Sequence, residues 1–341
     1  MKALVVYNSF SPSAVEKYAA VADDDTVKSA DLVAKSLVRL GWKTSLIELL
    51  PADVSNFDPG DADLVFNMCE WLGKDNHLEV ELLTRLADFG VAYTGADAKS
   101  HLWGIEKKLM KKLMRGVGLP LPKTAIYEGG NFHWPKHVEF PAIIKPSLEH
   151  CSVGIEPGSV VRSVKEGLTR VEWMYGRFQQ PILIEEFLPG TEYQVFVFET
   201  GEGLEILPPY ETVYREGLET PLLYFEENWV KEDVSDKIKS FGVVKSKAKI
   251  SQLEDIAKLA FEKMECRGYV RLDLREKDNK PYVLEINVNP RIGWDEKCDM
   301  RVAAQADGLN LSGVIGMIVS GALFQKANSL IKPTSVHAQF A

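Results

Sequence analysis

The sequence predicts an α/β protein of several domains, with a parallel-sheet domain at the N-terminus and an α+β part towards the C-terminus. Its 341 residues exceed the roughly 250 at which a single hydrophobic core stops growing, which indicates two or three domains. Short apolar segments alternate with amphipathic segments over residues 1–100, as in a parallel sheet covered by helices. Near residue 278, two apolar segments flank a turn signal typical of an antiparallel hairpin.

The N-terminal domain begins with an apolar segment over residues 3–7 that predicts a buried strand. A polar loop is expected through Asp23, Asp24 and Asp25, and a helix over residues 26–40 that ends at Gly41. Further strands are predicted at 44–48 and 64–67, and a second helix at 78–89. A GxGxxG motif does not follow the first strand, so the pattern does not support a dinucleotide-binding, hydride-transferring enzyme.

The middle of the chain opens with a basic helical stretch over residues 99–116, followed by glycines and prolines that indicate a domain boundary near residue 100. The segment 208–249 is charged and weakly periodic, which predicts a long loop or lid. The other predicted elements are strands at 140–145, 182–186, 192–198, 269–275 and 281–287, helices at 163–175, 253–264 and 309–324, and a poorly ordered tail after Lys326.

Composition narrows the class of protein. Hydrophobic residues make up 45% and charged residues 26% of the chain, as in soluble globular proteins, and the net charge of −9 argues against a nucleic-acid partner. The four cysteines form no CxxC pair, which argues against a zinc site or a disulfide framework. The sequence shows neither a signal peptide nor an apolar stretch of roughly 20 residues, so we expect a cytoplasmic protein without a membrane partner.

Polar side chains interrupt two apolar strands near the C-terminus. Arg271 and Asp273 are two residues apart and share one face of a strand, as do Glu285 and Asn287 on the next. If the strands pair as a hairpin around residues 278–280, the four side chains converge. Carboxylate and amide oxygens are the ligands that Mg²⁺ prefers, so the pattern predicts a magnesium site; a solvated hairpin face is the alternative interpretation.

A second polar cluster follows the strand that ends at Lys145. The loop after it contains Ser147, Ser152 and Gly154, and such a loop can present hydroxyls and backbone N–H groups to phosphates beside a lysine charge. Lys107 is a second candidate cation, although a lysine in a lysine-rich helix more often belongs to a solvated face. A third cluster, Glu185 and Glu186 at the end of strand 182–186 with Glu192 beyond, could recognise a base and a ribose.

The order of these motifs resembles the ATP-grasp superfamily and, within it, the D-alanine–D-alanine ligases, from residue 1 to about 325. The shared motifs are Lys107, Lys145-Pro-Ser, Ser152-Val-Gly154, Glu185-Glu-Phe-Leu, Glu192, Arg271-x-Asp273 and Glu285-x-Asn287. The resemblance implies a three-domain ATP-grasp architecture, with an N-terminal domain at 1–100, a central subdomain at 101–183, a C-terminal subdomain with the metal site at 184–328, and a tail at 329–341.

The resemblance also implies cofactors, partners and roles. ATP and Mg²⁺ would be bound, small amino acids or carboxylates would be the substrates, and the chain would form a homodimer. Arg271 and Lys145 would be catalytic, with Arg271 stabilising an acyl-phosphate and the tetrahedral intermediate after it. The nucleotide ligands would be Lys107, Lys145, Ser147, Ser152, Glu185, Glu186, Phe187, Leu188 and Glu192. The metal ligands would be Asp273, Glu285 and Asn287.

The substrate region departs from the family pattern. The position of a glutamate that binds the first substrate's amine carries Asp24, and Cys69-Glu70-Trp71 replaces the usual His-Gly. Arg291 and Cys298 stand where a glycine and a carboxylate-binding serine are expected, and Cys151 replaces a loop serine. Glu70 and Asp24 would favour an amine and Arg291 an additional carboxylate, so we expect a carboxylate–amine ligase with a substrate pair other than two D-alanines.

Two alternatives stay open at this point. One is a genuine D-alanine–D-alanine ligase of peptidoglycan synthesis. The other is an ATP-binding regulatory protein without catalysis, although a pure binder need not keep Arg271 together with Asp273, Glu285 and Asn287. Substitution of Arg271 separates the two classes, because a ligase would lose turnover more than ATP affinity.

Overall fold

Three sheets organise the part of the chain that the computed structural model describes, which comprises residues 1–8, 16–71, 73–231, 233–295 and 298–331. Side chains are described throughout these ranges except at 16–25, 73–74 and 330–331. The sheets have four, six and four strands. They correspond to the N-terminal, C-terminal and central parts of the predicted architecture.

The N-terminal sheet is parallel, as predicted, with the strand order β2-β1-β3-β4. Its elements are β1 (Lys2–Tyr7), α1 (Glu16–Arg39), β2 (Lys43–Glu48), β3 (Leu64–Asn67), α2 (His77–Phe89) and β4 (Ala92–Tyr93), with short 3₁₀ helices at Pro51–Asn56 and Gly73–Asn76. The prediction of a loop through Asp23, Asp24 and Asp25 is wrong, because α1 already begins at Glu16. Without glycine or proline, three aspartates cost a helix only a few tenths of a kcal/mol each, so the helix continues through them.

The central sheet is antiparallel, with the order β5-β8-β6-β7. Its elements, with the helices before and beside it, are α3 (Ala98–Ile105), α4 (Lys107–Gly116), β5 (Thr124–Tyr127), β6 (Ala142–Pro146), β7 (Val160–Val161), α5 (Val164–Phe178) and β8 (Ile182–Glu186). The basic stretch at 99–116 is two helices rather than one, because Glu106 has extended backbone angles (φ −106°, ψ 94°). The predicted boundary at 183/184 falls within β8.

The C-terminal sheet is also antiparallel, with the order β12-β11-β9-β13-β14 and β10 paired to β9. Its elements are β9 (Glu192–Thr200), β10 (Gly203–Ile206), β11 (Tyr210–Tyr214), α6 (Phe225–Trp229), β12 (Ile238–Val243), α7 (Lys247–Lys263), β13 (Tyr269–Lys277) and β14 (Lys280–Val288). The prediction that 208–249 is a long loop is therefore wrong in part. Pairing with β9 makes β11 and β12 strands although their own apolar pattern is weak.

The chain ends in two helices, α8 (Asp299–Ala306) and α9 (Leu311–Ile331). The prediction of a poorly ordered tail after Lys326 is wrong for residues 327–331, because α9 runs to Ile331. Residues 332–341 lie outside the described ranges. Within the described residues, no single helix has the length and apolar composition to cross a membrane, and the bent pair Asp299–Ala306 and Leu311–Ser329 meets that test only when its two helices are taken together.

The cores do not follow the domain boundaries one to one. One cluster of buried side chains joins β1 and α1 of the N-terminal part to β9, α8 and α9 of the C-terminal part, for example Val5, Leu37, Phe198 and Ile315. The central sheet has a core of its own, around Ile144, that also includes Phe225 of α6. The N- and C-terminal sheets therefore share one core, and the central sheet has a separate one.

Candidate active site

The hairpin β13–β14 brings the predicted metal ligands together. Its turn residues Asp278 and Asn279 both have positive φ angles (51° and 61°), as a two-residue type I′ turn requires, which confirms the predicted hairpin. The register then places Arg271 opposite Asn287, and Asp273 opposite Glu285. All four polar residues of the sequence motif consequently face one site.

Hydrogen bonds connect three of these side chains directly. The Nε and Nη2 atoms of Arg271 donate to Oδ1 and Oδ2 of Asp273 at 2.7 and 3.0 Å. The Nδ2 atom of Asn287 donates to Oδ2 of the same carboxylate at 2.8 Å, which leaves the amide oxygen as the available ligand atom. Another guanidinium nitrogen of Arg271 lies 3.6 Å from Asp299 at the start of α8.

The two carboxylates of the hairpin differ in their electrostatics. Burial raises the pKa of Asp273 to about 6, with Arg271 acting against it and Glu285 adding to it. Burial also disfavours ionisation of Glu285, but the cations of Lys107 and Lys145 outweigh it and lower the pKa of Glu285. Asp273 and Glu285 face each other across the hairpin, and a bound cation would reduce the repulsion between their carboxylates.

The donor set fits a hard cation that phosphate also binds. Asp273 and Glu285 offer carboxylate oxygens and Asn287 an amide oxygen, and Mg²⁺ typically takes one or two carboxylates and completes its shell with phosphate oxygens. Among the residues described, three or more His, Cys, Asp or Glu side chains do not converge into a metal cluster. Asp273, Glu285 and Asn287 could therefore supply part of a coordination shell.

Lys107 lies beside this hairpin and not on a solvated helix face. Its Nζ atom is 3.3 Å from Oε2 of Glu285 and donates to the carbonyl of Glu149 at 2.7 Å. The side chain is only 5% exposed. Lys107 thus joins the start of α4 to both the hairpin and the loop after β6.

Lys145 belongs to a buried ion network with Glu185. Lys145 Nζ lies 2.7 Å from Oε2 of Glu185, and Lys111 Nζ lies 2.6 Å from Oε1. Thr124 donates to the same Oε1 at 3.1 Å. Burial opposes ionisation of Glu185, but the two lysines outweigh it and lower its pKa to about 2. Glu185 is therefore ionised and held in place from both sides.

The loop after β6 turns sharply in front of the hairpin. Cys151 and Ser152 both have positive φ angles (55° and 61°), and the N–H of Val153 donates to the carbonyl of His150 at 3.0 Å. Non-glycine residues rarely adopt this conformation. Ser147, at the start of the loop, is fully buried, and its Oγ has no hydrogen-bond partner among the described residues.

Helix α6 holds this turn from outside. The indole N–H of Trp229 donates to the carbonyl of Cys151 at 2.9 Å, and Nδ2 of Asn228 donates to Oγ of Ser152 at 3.0 Å. The backbone N–H of Phe225 donates to the carbonyl of Ile155 at 3.0 Å. The 208–249 segment therefore includes a short helix that packs on the loop after β6.

The end of β8 provides the remaining predicted nucleotide residues. Phe187 and Leu188 are buried, and Glu186 forms an ion pair with Lys277. Glu192 forms an ion pair with Arg275, in which Nη1 lies 2.9 Å from Oε1. The Arg275 guanidinium carbon also lies 5.0 Å from the centre of the Phe187 ring.

The residues predicted to contact substrate occupy several elements. Asn8 fixes the backbone of Glu70, because its side chain donates to the Glu70 carbonyl at 2.8 Å and accepts from the Glu70 N–H at 2.6 Å. Arg291 lies 3.2 Å from Asp295 and 5.9 Å from the Trp229 ring centre. Cys298 is buried, and its thiol donates to the carbonyl of Gly293 at 3.1 Å. Asp24 lies within α1, and its side chain is outside the described atoms.

Sequence reasoning missed several polar residues of the site. Lys111 had a usable signal, since it lies four residues after Lys107 and residues at that spacing share a helix face. His150 and Trp229 had none, because a loop histidine and a tryptophan in a charged segment carry no periodic pattern. Asp299 is brought to Arg271 by tertiary packing alone.

A comparison with known protein families decides the class of this site. Residues 113–320 match the family described as D-ala D-ala ligase C-terminus, a span that covers more than half of the chain. The chain belongs to this family. Its members are ATP-dependent ligases, and the chain is accordingly an ATP-dependent ligase of the D-Ala–D-Ala ligase type, as the motifs predicted.

Relatives of the D-Ala–D-Ala ligase family cover nearly the whole chain. An uncharacterized protein, y4sG, of Sinorhizobium fredii is 30% identical over 304 residues, which are 85% of this chain and 86% of that protein. The D-alanine–D-alanine ligase of Alcanivorax borkumensis is 28% identical over 300 residues, 87% and 89% of the two chains.

A solved structure of the D-Ala–D-Ala ligase family confirms the predicted fold. The D-alanine–D-alanine ligase of Bacillus anthracis complexed with ATP superposes with a TM-score of 0.74 at 19% identity, over 96% of this chain and 99% of that chain. The ATP-grasp architecture with an N-terminal parallel sheet is therefore that of the chain described here.

Proposed function

We propose that this ligase joins a carboxylate to an amine through an acyl-phosphate, and that its substrate pair is not two D-alanines. The observation that carries the proposal is the convergence of Arg271, Asp273, Glu285 and Asn287 on one hairpin face, with Lys107 3.3 Å from Glu285. This combination of cations and hard oxygen ligands suits transfer of a phosphoryl group.

Nucleotide binding is assigned to the two lysines and the end of β8. Lys107 and Lys145 would bind the phosphates, together with Ser147 and Ser152 of the loop. Glu185, Glu186, Phe187 and Leu188 would line the adenine site, and Glu192 would bind the ribose. The unpartnered hydroxyl of buried Ser147 supports this assignment, because a buried polar atom without a partner costs roughly 1–3 kcal/mol and suits a ligand.

Magnesium is proposed at Asp273, Glu285 and Asn287. Bound there, it would neutralise charge that develops on the transferred phosphoryl group. The opposed carboxylates and the free amide oxygen of Asn287 support this assignment.

The proposed reaction has two steps. In the first, a substrate carboxylate oxygen attacks the γ-phosphorus and ADP leaves, while Lys107 and Lys145 compensate the negative charge. In the second, the amine nitrogen attacks the carbonyl carbon, phosphate leaves with that carboxylate oxygen, and the amine loses a proton. Arg271, fixed by Asp273, would stabilise the oxyanion that forms in between. The loop and α6 would exclude water from the acyl-phosphate.

The substrates are proposed to be small molecules with a charge pattern unlike that of alanine. Glu70, and by position Asp24, would bind an amine, and Arg291 would bind a carboxylate additional to the reacting one, with Cys151 and Cys298 shaping the pocket. The clamp of Asn8 on Glu70 and the position of Arg291 beside Trp229 support this arrangement. We expect the working form to be a homodimer.

The second candidate is a genuine D-alanine–D-alanine ligase, which the names of several relatives favour. Phosphate release from Mg-ATP distinguishes the two when amino acids and small carboxylates are offered singly and in pairs. We expect release that requires one carboxylate–amine pair with an extra carboxyl group, and little release with D-alanine alone. Formation of D-alanyl-D-alanine at ordinary enzyme rates would contradict the proposed change of substrate.

A further inference from the structure

His150 occupies a constrained position in the loop after β6. The residue before it, Glu149, is held through its carbonyl by Lys107 and through its carboxylate by Gln180, at 2.7 and 2.8 Å. The residue after it is the first of two with positive φ, and the carbonyl of His150 closes that turn. The backbone on both sides of His150 is thus held by hydrogen bonds.

The Nε2 atom of this ring is the notable feature. It is inaccessible to solvent and has no hydrogen-bond partner among the residues that the structure describes. Leaving a buried polar atom unpaired is unfavourable, so an unpaired atom beside a binding site is a candidate for a hydrogen bond to the ligand. The charged and titratable groups that act on the ring come from α3, α4, β13 and β14, and they are His101, Lys107, Arg271 and Glu285.

These groups define which part of the ligand the ring meets. Lys107 is assigned to the phosphates, Glu285 to the cation and Arg271 to the acyl-phosphate. Their common neighbour is the transferred phosphoryl group, not the adenine or the ribose, whose proposed residues lie at the end of β8. In the proposed function, His150 therefore lies among residues that bind the γ-phosphoryl group of ATP.

The chemical state of the ring agrees with a donor role. Burial and, to a smaller extent, the charge of Lys107 together lower the pKa of His150 to about 3. The imidazole is consequently neutral at the pH of the cell, and a neutral imidazole carries one N–H donor and one acceptor nitrogen.

We propose that His150 is a further phosphate-binding residue, which donates a hydrogen bond from Nε2–H to a γ-phosphoryl oxygen of ATP. The same bond persists when that group has moved to the substrate carboxylate, so His150 tracks the phosphoryl group through the transfer. The proposal rests on the proposed function and adds a residue to it. ADP, which lacks the γ-phosphoryl group, would not receive this bond.

Calorimetric binding of Mg-ATP and Mg-ADP to the full chain tests the proposal without knowledge of the substrates. Because hydrogen bonds to charged groups are worth about 1.5–3 kcal/mol, His150→Ala should weaken ATP binding by roughly 10- to 100-fold and leave ADP binding within about twofold. His150→Gln keeps a donor near the position of Nε2 and should retain most of the ATP affinity, whereas His150→Asn, whose amide reaches only the position of Nδ1, should not. His133→Gln, at an exposed histidine, is the control.

Each result decides between the proposals. An unchanged ratio of ATP to ADP affinity in His150→Ala, or equal ATP affinity of the Gln and Asn variants, overturns the role of His150 and leaves the proposed function intact. Failure of the wild-type chain to bind ATP overturns both. ADP affinity serves as the internal measure of folding and loop integrity, because a collapsed loop would weaken both nucleotides together.

Discussion

Glu185 shows how single residues of this site are stabilised. Its carboxylate is 1% exposed and lies between Lys111 and Lys145. A buried ion network of this kind adds little net stability as a whole, yet removal of one charge leaves its partners uncompensated in a low dielectric. The network accordingly holds Lys145 in place, and we expect its loss to destabilise the protein.

Glu185→Gln is therefore expected to lower the free energy of unfolding by about 3–5 kcal/mol, because two buried lysines would face a neutral amide. Urea denaturation of the ligand-free protein measures this change. Glu139→Gln is the matched control, since Glu139 forms an exposed ion pair with Lys123 and its loss should leave the midpoint unaltered. Equal midpoints for wild type and Glu185→Gln would contradict the role assigned to the network.

The lysines also show what the sequence could not decide. The spacing of Lys107 and Lys111 marks one helix face, but nothing local tells a solvated face from a buried one. In the structure both are buried, because the hairpin and β8 place acids opposite them. By contrast, Arg271, Asp273, Glu285 and Asn287 were predicted to converge, because strand period and turn type together fix the register of a hairpin.

At the scale of elements, α6 is the part of the site that local pattern did not reveal. It packs into the core of the central sheet through Phe225 and donates to the loop through Asn228 and Trp229. The strands on either side of it, β11 and β12, belong to the C-terminal sheet. The 208–249 segment thus links the C-terminal sheet to the core of the central sheet, which a weakly periodic sequence could not indicate.

Trp229→Phe keeps an aromatic ring but removes the N–H that holds the Cys151 carbonyl. Since one hydrogen bond is worth about 0.5–1.5 kcal/mol, we expect turnover to fall by roughly two- to tenfold and phosphate release to exceed amide formation, as water reaches the acyl-phosphate. Paired phosphate and amide assays measure this uncoupling. Trp173→Phe, on the exposed face of α5, is the control; equal coupling in both variants would show that α6 does not seal the site.

At the scale of the whole molecule, one hydrophobic core is shared by the N-terminal and C-terminal sheets. Helix α9 packs on β9 of the C-terminal sheet and on α1 and β4 of the N-terminal one. The central sheet instead packs against a separate core. The N-terminal and C-terminal sheets therefore share a core. The sequence could not indicate this, because the core joins residues as far apart in the chain as Val5 and Ile315.

Ile315→Ala and Ile144→Ala test this division, one in each core. Each deletion should cost about 2–5 kcal/mol, as large-to-small changes in buried sites do. Hydrogen exchange should show lowered protection in both β1 and β9 for Ile315→Ala, and in β6 and β8 alone for Ile144→Ala. Loss of protection confined to β9 in Ile315→Ala would mean that the N-terminal sheet is energetically independent.

The acyl-phosphate route is tested most directly with a carboxylate substrate whose carboxylate oxygens are labelled with ¹⁸O. The labelled oxygen attacks the γ-phosphorus and leaves with phosphate, so mass spectrometry should find one ¹⁸O in the phosphate for each amide formed. Label in AMP would indicate an acyl-adenylate, and unlabelled phosphate would show that ATP hydrolysis does not pass through the carboxylate. Either result would contradict the proposed roles of Lys107, Lys145 and Arg271.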